Sequence, residues 1–167
     1  MRVLKRSPVA FIGESESGKT LLICRLIPLM VSRGDSVAVL KHTHHEPDDL
    51  RRGDTERFLQ AGAIEAVLAD DFKAVHFDSE GTSSWAYSHP TDLLRLVNAS
   101  VILVEGFKAY AGWSKLLVRR VPSTTASSSA QNIVAVVSEE DGGGALPRLH
   151  PDELPELLSF LDRITRL

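Results

Sequence analysis

The chain alternates short apolar runs with longer segments in which apolar residues recur at helical spacing. The run "SPVAFIG" closes on a glycine and predicts a buried strand. Thr20 to Arg33 carries apolar residues on nearly every side, which predicts a covered helix that ends at Gly34. The run "SVAVLKH" predicts a second strand, and a helix begins near Asp54. This alternation is typical of an α/β domain.

The second half of the chain continues the pattern. "AIEAVLAD" and "KAVHFD" predict two strands joined as a hairpin at the sheet edge, and a helix is expected from Thr91 to Asn98. "SVILVEG" is the most apolar run, which indicates a central strand covered on both faces. "KLLVRR", "NIVAVVS" and a final helix from Pro151 complete the elements. We predict a three-layer α/β fold with a mostly parallel central sheet and an edge hairpin.

Composition narrows the class of protein. The 167 residues are expected to form a single domain, residues 1–167. A net charge of -3 gives no general attraction to nucleic acid or to anionic membranes, and no apolar run is long enough to span a bilayer. The only cysteine, Cys24, cannot form an internal disulfide, and the N-terminus lacks the apolar core of a signal peptide. We therefore expect a cytoplasmic protein.

The stretch "GESESGKT" fits the phosphate-binding pattern G-x-x-x-x-G-K-[ST], also called Walker A. The glycines let backbone N–H groups turn inward as an anion nest, and the following helix adds the positive end of its dipole. The lysine would reach the phosphates of the nucleotide, and the threonine hydroxyl would bind Mg²⁺. The predicted nucleotide-binding residues are Gly13, Glu14, Ser15, Glu16, Ser17, Gly18, Lys19 and Thr20.

The two glutamates of this loop do not exclude a nucleotide. The main chain holds the anion, so their side chains are free to point into water. There the repulsion of the phosphates costs about 1 kcal/mol or less.

A second acidic group is needed for Mg²⁺ at the end of a neighbouring strand. Three segments offer one: "VLADD" with Asp70 or Asp71, "AVHFDSEG" with Asp78, and "VILVEG" with Glu105. The strand beside the phosphate loop should be apolar throughout, which favours Glu105, with Asp54 as an additional partner.

The base of the nucleotide is not specified by a motif, because no N-K-x-D or T-K-x-D segment occurs. Ser138 or Glu139, after "NIVAVV", either meets the base edge or lies at a solvated strand end.

The segment "KHTHHEPDDLRRGDTERFLQAGA" follows the second strand at its carboxyl end, where open α/β sheets bind ligands. Its histidines lack a further ligand at the spacing of a tetrahedral metal site, so a metal site is the lesser interpretation. The segment either faces an anionic substrate or the nucleotide, or is an ordinary polar loop. Its candidate residues are Lys41, His42, His44, His45 and Arg57.

Taken together, "GESESGKT", "KHTHH" with "GDTERFLQAGA", and "VEGFK" resemble the MobB family of molybdopterin-guanine dinucleotide biosynthesis adaptor proteins. The resemblance spans residues 9 to about 138. It implies a P-loop NTPase fold, GTP and Mg²⁺ as cofactors, weak GTPase activity at most, and a homodimer. It also implies a supporting role beside the nucleotidyltransferase that joins GMP to molybdopterin. The matching positions outside the loop are Lys41 to His45, Asp54, Arg57, Glu105 and Lys108.

Two other functions fit the motifs. A P-loop kinase for a small molecule would use Arg119 and Arg120, or Arg51 and Arg52, around the transferred phosphoryl group. A metal-loading GTPase would use His42, His44 and His45.

Overall fold

The computed structural model describes residues 6–44, 53–120, 130–141 and 144–165, whose strands form one nine-stranded sheet. The strands are β1 (Val9–Ile12), β2 (Val37–His42), β3 (Glu65–Ala69), β4 (Lys73–Asp78), β5 (Gly81–Ala86), β6 (Val101–Glu105), β7 (Ser114–Val118), β8 (Ile133–Val137) and β9 (Arg148–Leu149). The helices are α1 (Lys19–Ser32), α2 (Gly53–Ala61) and α3 (Leu154–Thr165), with a 3-10 helix at Pro90–Arg95. His45, Arg51 and Arg52 lie outside the described residues.

The sheet has the spatial order β5-β4-β3-β2-β6-β1-β7-β8-β9. In this spatial order, the strands from β3 through β2, β6, β1, β7 and β8 to β9 are all parallel to their neighbours. Strand β4 pairs antiparallel with β3 and with β5. The mostly parallel sheet and the β3–β4 hairpin are therefore confirmed. Strand β6 is buried at every position and lies between β2 and β1, as its continuous apolar run predicts. The carboxyl ends of β1, β2 and β6 are consequently adjacent.

Two apolar clusters cover the two faces of the sheet. On one face, α1, α2 and α3 pack their apolar side chains against β1, β2, β6, β7 and β8. On the other face, the covering layer includes Leu93 of the 3-10 helix, Val97 after it, and the rings of Phe107 and Trp113. The 106–113 loop, which follows β6, thus forms part of the core as well as part of the edge where ligands are expected.

The structure corrects three predicted details. The helix expected from Thr91 to Asn98 is a 3-10 helix over Pro90–Arg95, held by a capping box in which His89 accepts from the backbone N–H of Thr91 and Asp92 accepts from that of His89. Strand β5 was not predicted, because every one of its residues is exposed and apolar alternation is missing. Strand β9 has only two residues, too few to show a period.

Within the part of the chain that the structure describes, no helix has the length and apolar character needed to cross a membrane.

Candidate functional site

The phosphate loop connects β1 to α1 at the carboxyl edge of the sheet. Gly13 and Gly18 have φ values of 153° and 97°, which side-chain-bearing residues rarely adopt, and Glu16 also has a positive φ of 61°. A side chain at Gly13 would collide with β7, because its Cβ would lie 2.4 Å from the carbonyl oxygen of Val118. Glu14 and Glu16 are exposed, in agreement with the expectation that these carboxylates point into water.

Lys19 curls back over this loop. Its ammonium group donates to the carbonyl oxygens of Gly13 (3.2 Å) and Glu14 (2.5 Å) and to the hydroxyl of Ser17 (3.3 Å). Burial lowers the pKa of Lys19, an effect that the nearby Glu105 carboxylate partly opposes. A polyphosphate placed in the loop would add further negative charge beside this partly buried ammonium and so stabilise its charged form.

The first helical turn and the end of β6 are joined through a carboxylate. The Thr20 hydroxyl lies 2.9 Å from Oε2 and 3.1 Å from Oε1 of Glu105, and Glu105 is only 6% exposed. These are hard oxygen donors of the type that Mg²⁺ prefers, placed beside the loop that would bring phosphate oxygens. Among the predicted carboxylates, Glu105 is thus the one beside Thr20.

Lys41 connects this pair to α2. Its ammonium group lies 2.9 Å from Oε1 of Glu105 and also donates to Asp54, and Asp54 in turn lies 3.5 Å from Arg57. Burial lowers the pKa of Lys41, but attraction to Glu105 and hydrogen bonds with both carboxylates outweigh burial and leave it raised. Lys41 is therefore charged at neutral pH and holds two carboxylates together.

His42 packs against the 106–113 loop. Its ring lies 4.7 Å from the Phe107 ring and 5.1 Å from the His44 ring, and its Nε2 lies 3.0 Å from Asp71. Gly106 has a φ of 92° and passes so close that an added Cβ would lie 3.1 Å from the Cβ of His42. The glycine of "VEGFK" thus permits the close approach of two segments that the sequence identified separately.

These residues surround one cavity of about 870 Å³. Of the predicted residues, those in its lining are Gly13, Ser15, Lys19, Lys41, His42, Thr43, His44, Asp71, Glu105 and Lys108. The structure adds lining residues that the sequence did not identify, among them Tyr87, Ser88, Pro90, Phe107 and Tyr110. Their positions depend on how the segments before the 3-10 helix and after β6 fold onto the sheet.

Other candidates lie elsewhere. The Asp78 carboxylate accepts from the backbone N–H groups of Glu80 and Gly81 and so stabilises the turn between β4 and β5. Asp70 likewise accepts from the N–H groups of Phe72 and Lys73. Neither carboxylate is among the residues that line the cavity.

The candidates for contact with the base, Ser138 and Glu139, follow β8. Arg148 donates to the carbonyl oxygens of both residues, at 3.1 Å and 3.3 Å, so this strand end is tied to β9. Arg119 and Arg120, the candidates of the kinase interpretation, directly follow β7, and neither is in the lining of the cavity.

Among the described residues, no group of three or more His, Cys, Asp or Glu side chains is arranged to hold a metal ion. His42 is engaged with Asp71 and His44 is exposed, and the third histidine of the metal-loading interpretation, His45, is outside the described range. The described geometry therefore gives that interpretation no support.

Lys115 is a buried lysine that the sequence did not identify as a site residue. It is 0% exposed, and its ammonium group donates to the carbonyl oxygens of Tyr110, Trp113 (3.4 Å) and Gln131 (2.8 Å). Burial lowers the pKa of Lys115. The side chain fastens the 106–113 loop to the segment before β8, so it positions one wall of the cavity.

Replacing Lys115 with Met should destabilise the protein by about 3 kcal/mol, because buried carbonyl oxygens would lose their donor while the side-chain volume is nearly kept. Urea unfolding followed by tryptophan fluorescence measures this. Lys108→Met, at an exposed position of the 106–113 loop that Lys115 fastens, is the matched control and should change stability little. Equal stability of the two variants would contradict the positioning role.

Tyr87 forms another fixed wall. Its hydroxyl donates to the carbonyl oxygen of Asp70, and burial, aided by repulsion from Asp70 and Asp71, raises the pKa of Tyr87 from 10.0 to about 12. The unfolded chain would lose the phenolic proton at lower pH than the folded one. The stability contributed by Tyr87 is thus complete below pH 10 and is lost as the pH rises towards about 12.

We expect Tyr87→Phe to be less stable at neutral pH, because the hydrogen bond is lost, and to lose less stability than the parent protein across this alkaline window. Urea midpoints on both sides of the window measure the difference. If the two proteins lost the same amount of folding stability across this pH range, the loss could not be attributed to ionisation of Tyr87.

Comparison with known proteins identifies the family. Residues 9–139 match the model of the family described as "MobB: Molybdopterin guanine dinucleotide synthesis protein B". The molybdopterin-guanine dinucleotide biosynthesis adapter protein of Escherichia coli is 31% identical over 102 residues, which cover 60% of this chain and 58% of the relative. The corresponding protein of Haemophilus influenzae is 36% identical over 98 residues, or 58% of this chain and 54% of the relative. The match therefore spans little more than half the length of these curated relatives.

Solved structures support the same fold over a longer part of the chain. The crystal structure of Bacillus subtilis MobB matches with a TM-score of 0.61 at 19% identity, covering 96% of this chain and 98% of that one. At this identity the likeness establishes the fold, which agrees with the predicted P-loop architecture. Because the family model covers most of the chain, including the phosphate loop, Lys41 and Glu105, this protein belongs to the MobB family.

Proposed function

We propose that this protein binds GTP with Mg²⁺ and serves as an adaptor in molybdopterin guanine dinucleotide synthesis, assisting the nucleotidyltransferase that joins GMP to molybdopterin. The observation that supports nucleotide binding best is the Thr20–Glu105 pair, 2.9 Å apart, beside a phosphate loop that contains Lys19. The role in the pathway is supported by family membership and by the adapter proteins that the chain resembles. We further propose that it is a cytoplasmic single-domain protein that acts as a homodimer.

The loop amides and Lys19 would hold the phosphates, and Thr20 with Glu105 would hold Mg²⁺, which supplies charge neutralisation at the phosphates when bound. Lys41 lies 2.9 Å from the same carboxylate that Mg²⁺ would use. Two cations at one carboxylate repel each other, so Mg²⁺ binding would move Lys41 away from Glu105. Since Lys41 also binds Asp54 at the start of α2, a movement of Lys41 on nucleotide binding would shift the start of that helix.

We propose that this protein hydrolyses GTP slowly at most. The carboxylate beside Thr20, Glu105, and the carboxylate at the start of α2, Asp54, are both paired with the ammonium group of Lys41. Pairing with a cation lowers the basicity of a carboxylate and so makes it a weaker general base. These engaged groups favour a protein that signals its nucleotide state to a partner over one that turns over nucleotide rapidly.

Isothermal titration of GTP, ATP and GDP, each with and without Mg²⁺, tests the proposal. We expect GTP to bind in preference to ATP, and Mg²⁺ to strengthen GTP binding more than GDP binding. Equal affinities for GTP and ATP would contradict the proposal that the protein prefers guanine nucleotides. Rapid ATP turnover stimulated by one metabolite would replace the adaptor proposal with the kinase interpretation.

A further inference from the structure

Soon after β6 the chain makes a tight turn, residues 107–110, which we name the β6 turn. The N–H of Tyr110 donates to the carbonyl oxygen of Phe107 at 3.0 Å, so Lys108 and Ala109 are the two central residues. Their N–H groups have no acceptor within the turn, nor elsewhere among the residues that the structure describes. Both residues are exposed and line the cavity. The turn therefore places two adjacent backbone donors at the cavity wall.

The β6 turn is held in place at both ends. Before it, the N–H of Gly106 donates to the carbonyl oxygen of Phe11 in β1 at 3.0 Å. Phe107 packs into the core although its φ is 53°, a value that a bulky residue rarely adopts. At the other end, the ammonium group of Lys115 donates to the carbonyl oxygen of Tyr110. A backbone that its surroundings hold in an unfavourable conformation is typical of preorganised binding sites, and little entropy is lost when a ligand binds there.

The site proposed for Mg²⁺ indicates which phosphate would meet these donors. Glu105 is the last residue of β6, and its carboxylate lies 2.9 Å from the hydroxyl of Thr20 in the phosphate loop. A Mg²⁺ ion held by this pair would bridge the last two phosphates of a nucleoside triphosphate. The terminal phosphate would therefore extend from the loop towards the end of β6, where the β6 turn follows. The last phosphate of a diphosphate would remain in the phosphate loop.

We propose that the backbone N–H groups of Lys108 and Ala109 bind the terminal phosphate, so that the β6 turn distinguishes a nucleoside triphosphate from a diphosphate. The proposal rests on the proposed function for the presence of the nucleotide and its Mg²⁺. Adjacent N–H groups in a turn form a concave site for anions, and hydrogen bonds from them to a charged phosphate oxygen are stronger than those to a neutral acceptor. Because main-chain atoms make this contact, no side-chain motif in the sequence indicates it.

Amide NMR of the full chain tests the proposal, first with GDP and Mg²⁺ and then with a non-hydrolysable GTP analogue and Mg²⁺. We expect the amide protons of Gly18 and Lys19 in the phosphate loop to shift with both nucleotides. Those of Lys108 and Ala109 should shift downfield only with the triphosphate, whereas that of Ala111, in the same loop but outside the cavity lining, should not. If the phosphate-loop amides shifted and those of the β6 turn did not, this inference would fail and the proposed function would stand. If neither group shifted, both would fail.

A matched pair of variants isolates one N–H group. Lys108→Ala and Lys108→Pro both lose the ammonium group, but only proline lacks the backbone N–H, and proline is common at the second residue of a β-turn. In isothermal titration, the ratio of GTP affinity to GDP affinity should be about tenfold lower for Lys108→Pro than for Lys108→Ala, the effect of one hydrogen bond to a charged group. Equal ratios in the two variants would overturn the proposal.

Thermal unfolding checks that both variants are folded. If Lys108→Pro does not fold, the same comparison is made between the parent protein and a chain in which lactic acid replaces Ala109. This replacement exchanges the N–H for an ester oxygen and keeps the side chain. The ratio of GTP affinity to GDP affinity should again fall about tenfold. An unchanged ratio would show that this N–H group does not bind the terminal phosphate.

Discussion

Lys19→Ala should bind GTP with Mg²⁺ about 100-fold more weakly than the parent protein. The ammonium group lies at the centre of the loop, within 3.3 Å of Gly13 O, Glu14 O and Ser17 Oγ. A phosphate in the loop would gain charge-assisted hydrogen bonds from it, worth about 3 kcal/mol together, which corresponds to roughly two decades in Kd. Isothermal titration measures the loss directly.

The matched control for this variant is Lys73→Ala, which removes a lysine from β4, outside the cavity lining. It should bind GTP as the parent protein does. Thermal unfolding of both variants separates loss of binding from loss of structure, since the Lys19 side chain also bridges carbonyl oxygens of its own loop. A Kd within roughly threefold of the parent value would mean that Lys19 does not hold the phosphates.

The elements that determine the candidate site could be predicted from the sequence because their signals are local. The phosphate loop needs glycine at positions of positive φ and a lysine at a fixed distance along the chain, and both requirements are visible in "GESESGKT". The central position of β6 follows from its continuous apolar run, and it places Glu105 at the end of a strand that adjoins β1.

The other wall of the cavity depends on contacts between distant segments. Tyr87 hydrogen-bonds to the backbone at Asp70, and Tyr110 and Gln131 are joined through the buried ammonium of Lys115. The spacing of apolar residues along the chain does not indicate contacts between segments that are distant in sequence. In "SKLLVRR" the lysine resembles a polar strand end, so its burial is decided only by the carbonyl oxygens that surround it in three dimensions.

Strand β5 illustrates the same limit. Its six residues, "GTSSWA", are all exposed, so the strand is held by backbone pairing to β4 and not by burial of an apolar face. Sequence patterns detect burial, and an edge strand without a buried face therefore leaves no trace in them. The Asp78 turn that precedes it also explains why this carboxylate, a candidate for Mg²⁺ in the sequence, serves backbone N–H groups instead.

Glu105→Gln should reduce the strengthening of GTP binding by Mg²⁺ by about tenfold or more, whereas Lys41→Met should shift the response in the opposite direction. The glutamine keeps an oxygen near Thr20 but removes the negative charge that attracts a divalent ion. Removing Lys41 deletes a cation 2.9 Å from that carboxylate, so half-maximal GTP binding should require less Mg²⁺. Titrations of GTP at stepped Mg²⁺ concentrations measure both effects.

Asp78→Asn is the matched control, since it neutralises the rival carboxylate without touching the cavity, and it should leave the Mg²⁺ response unchanged. If Asp78→Asn lost the Mg²⁺ response and Glu105→Gln kept it, the assignment of the metal site to the end of β6 would be wrong. If Lys41→Met required more Mg²⁺ than the parent protein, Lys41 would assist the metal site instead of competing with it. The opposite signs expected for Glu105 and Lys41 follow from one geometry, a carboxylate shared between Thr20 and an ammonium group, so the two variants test that geometry together.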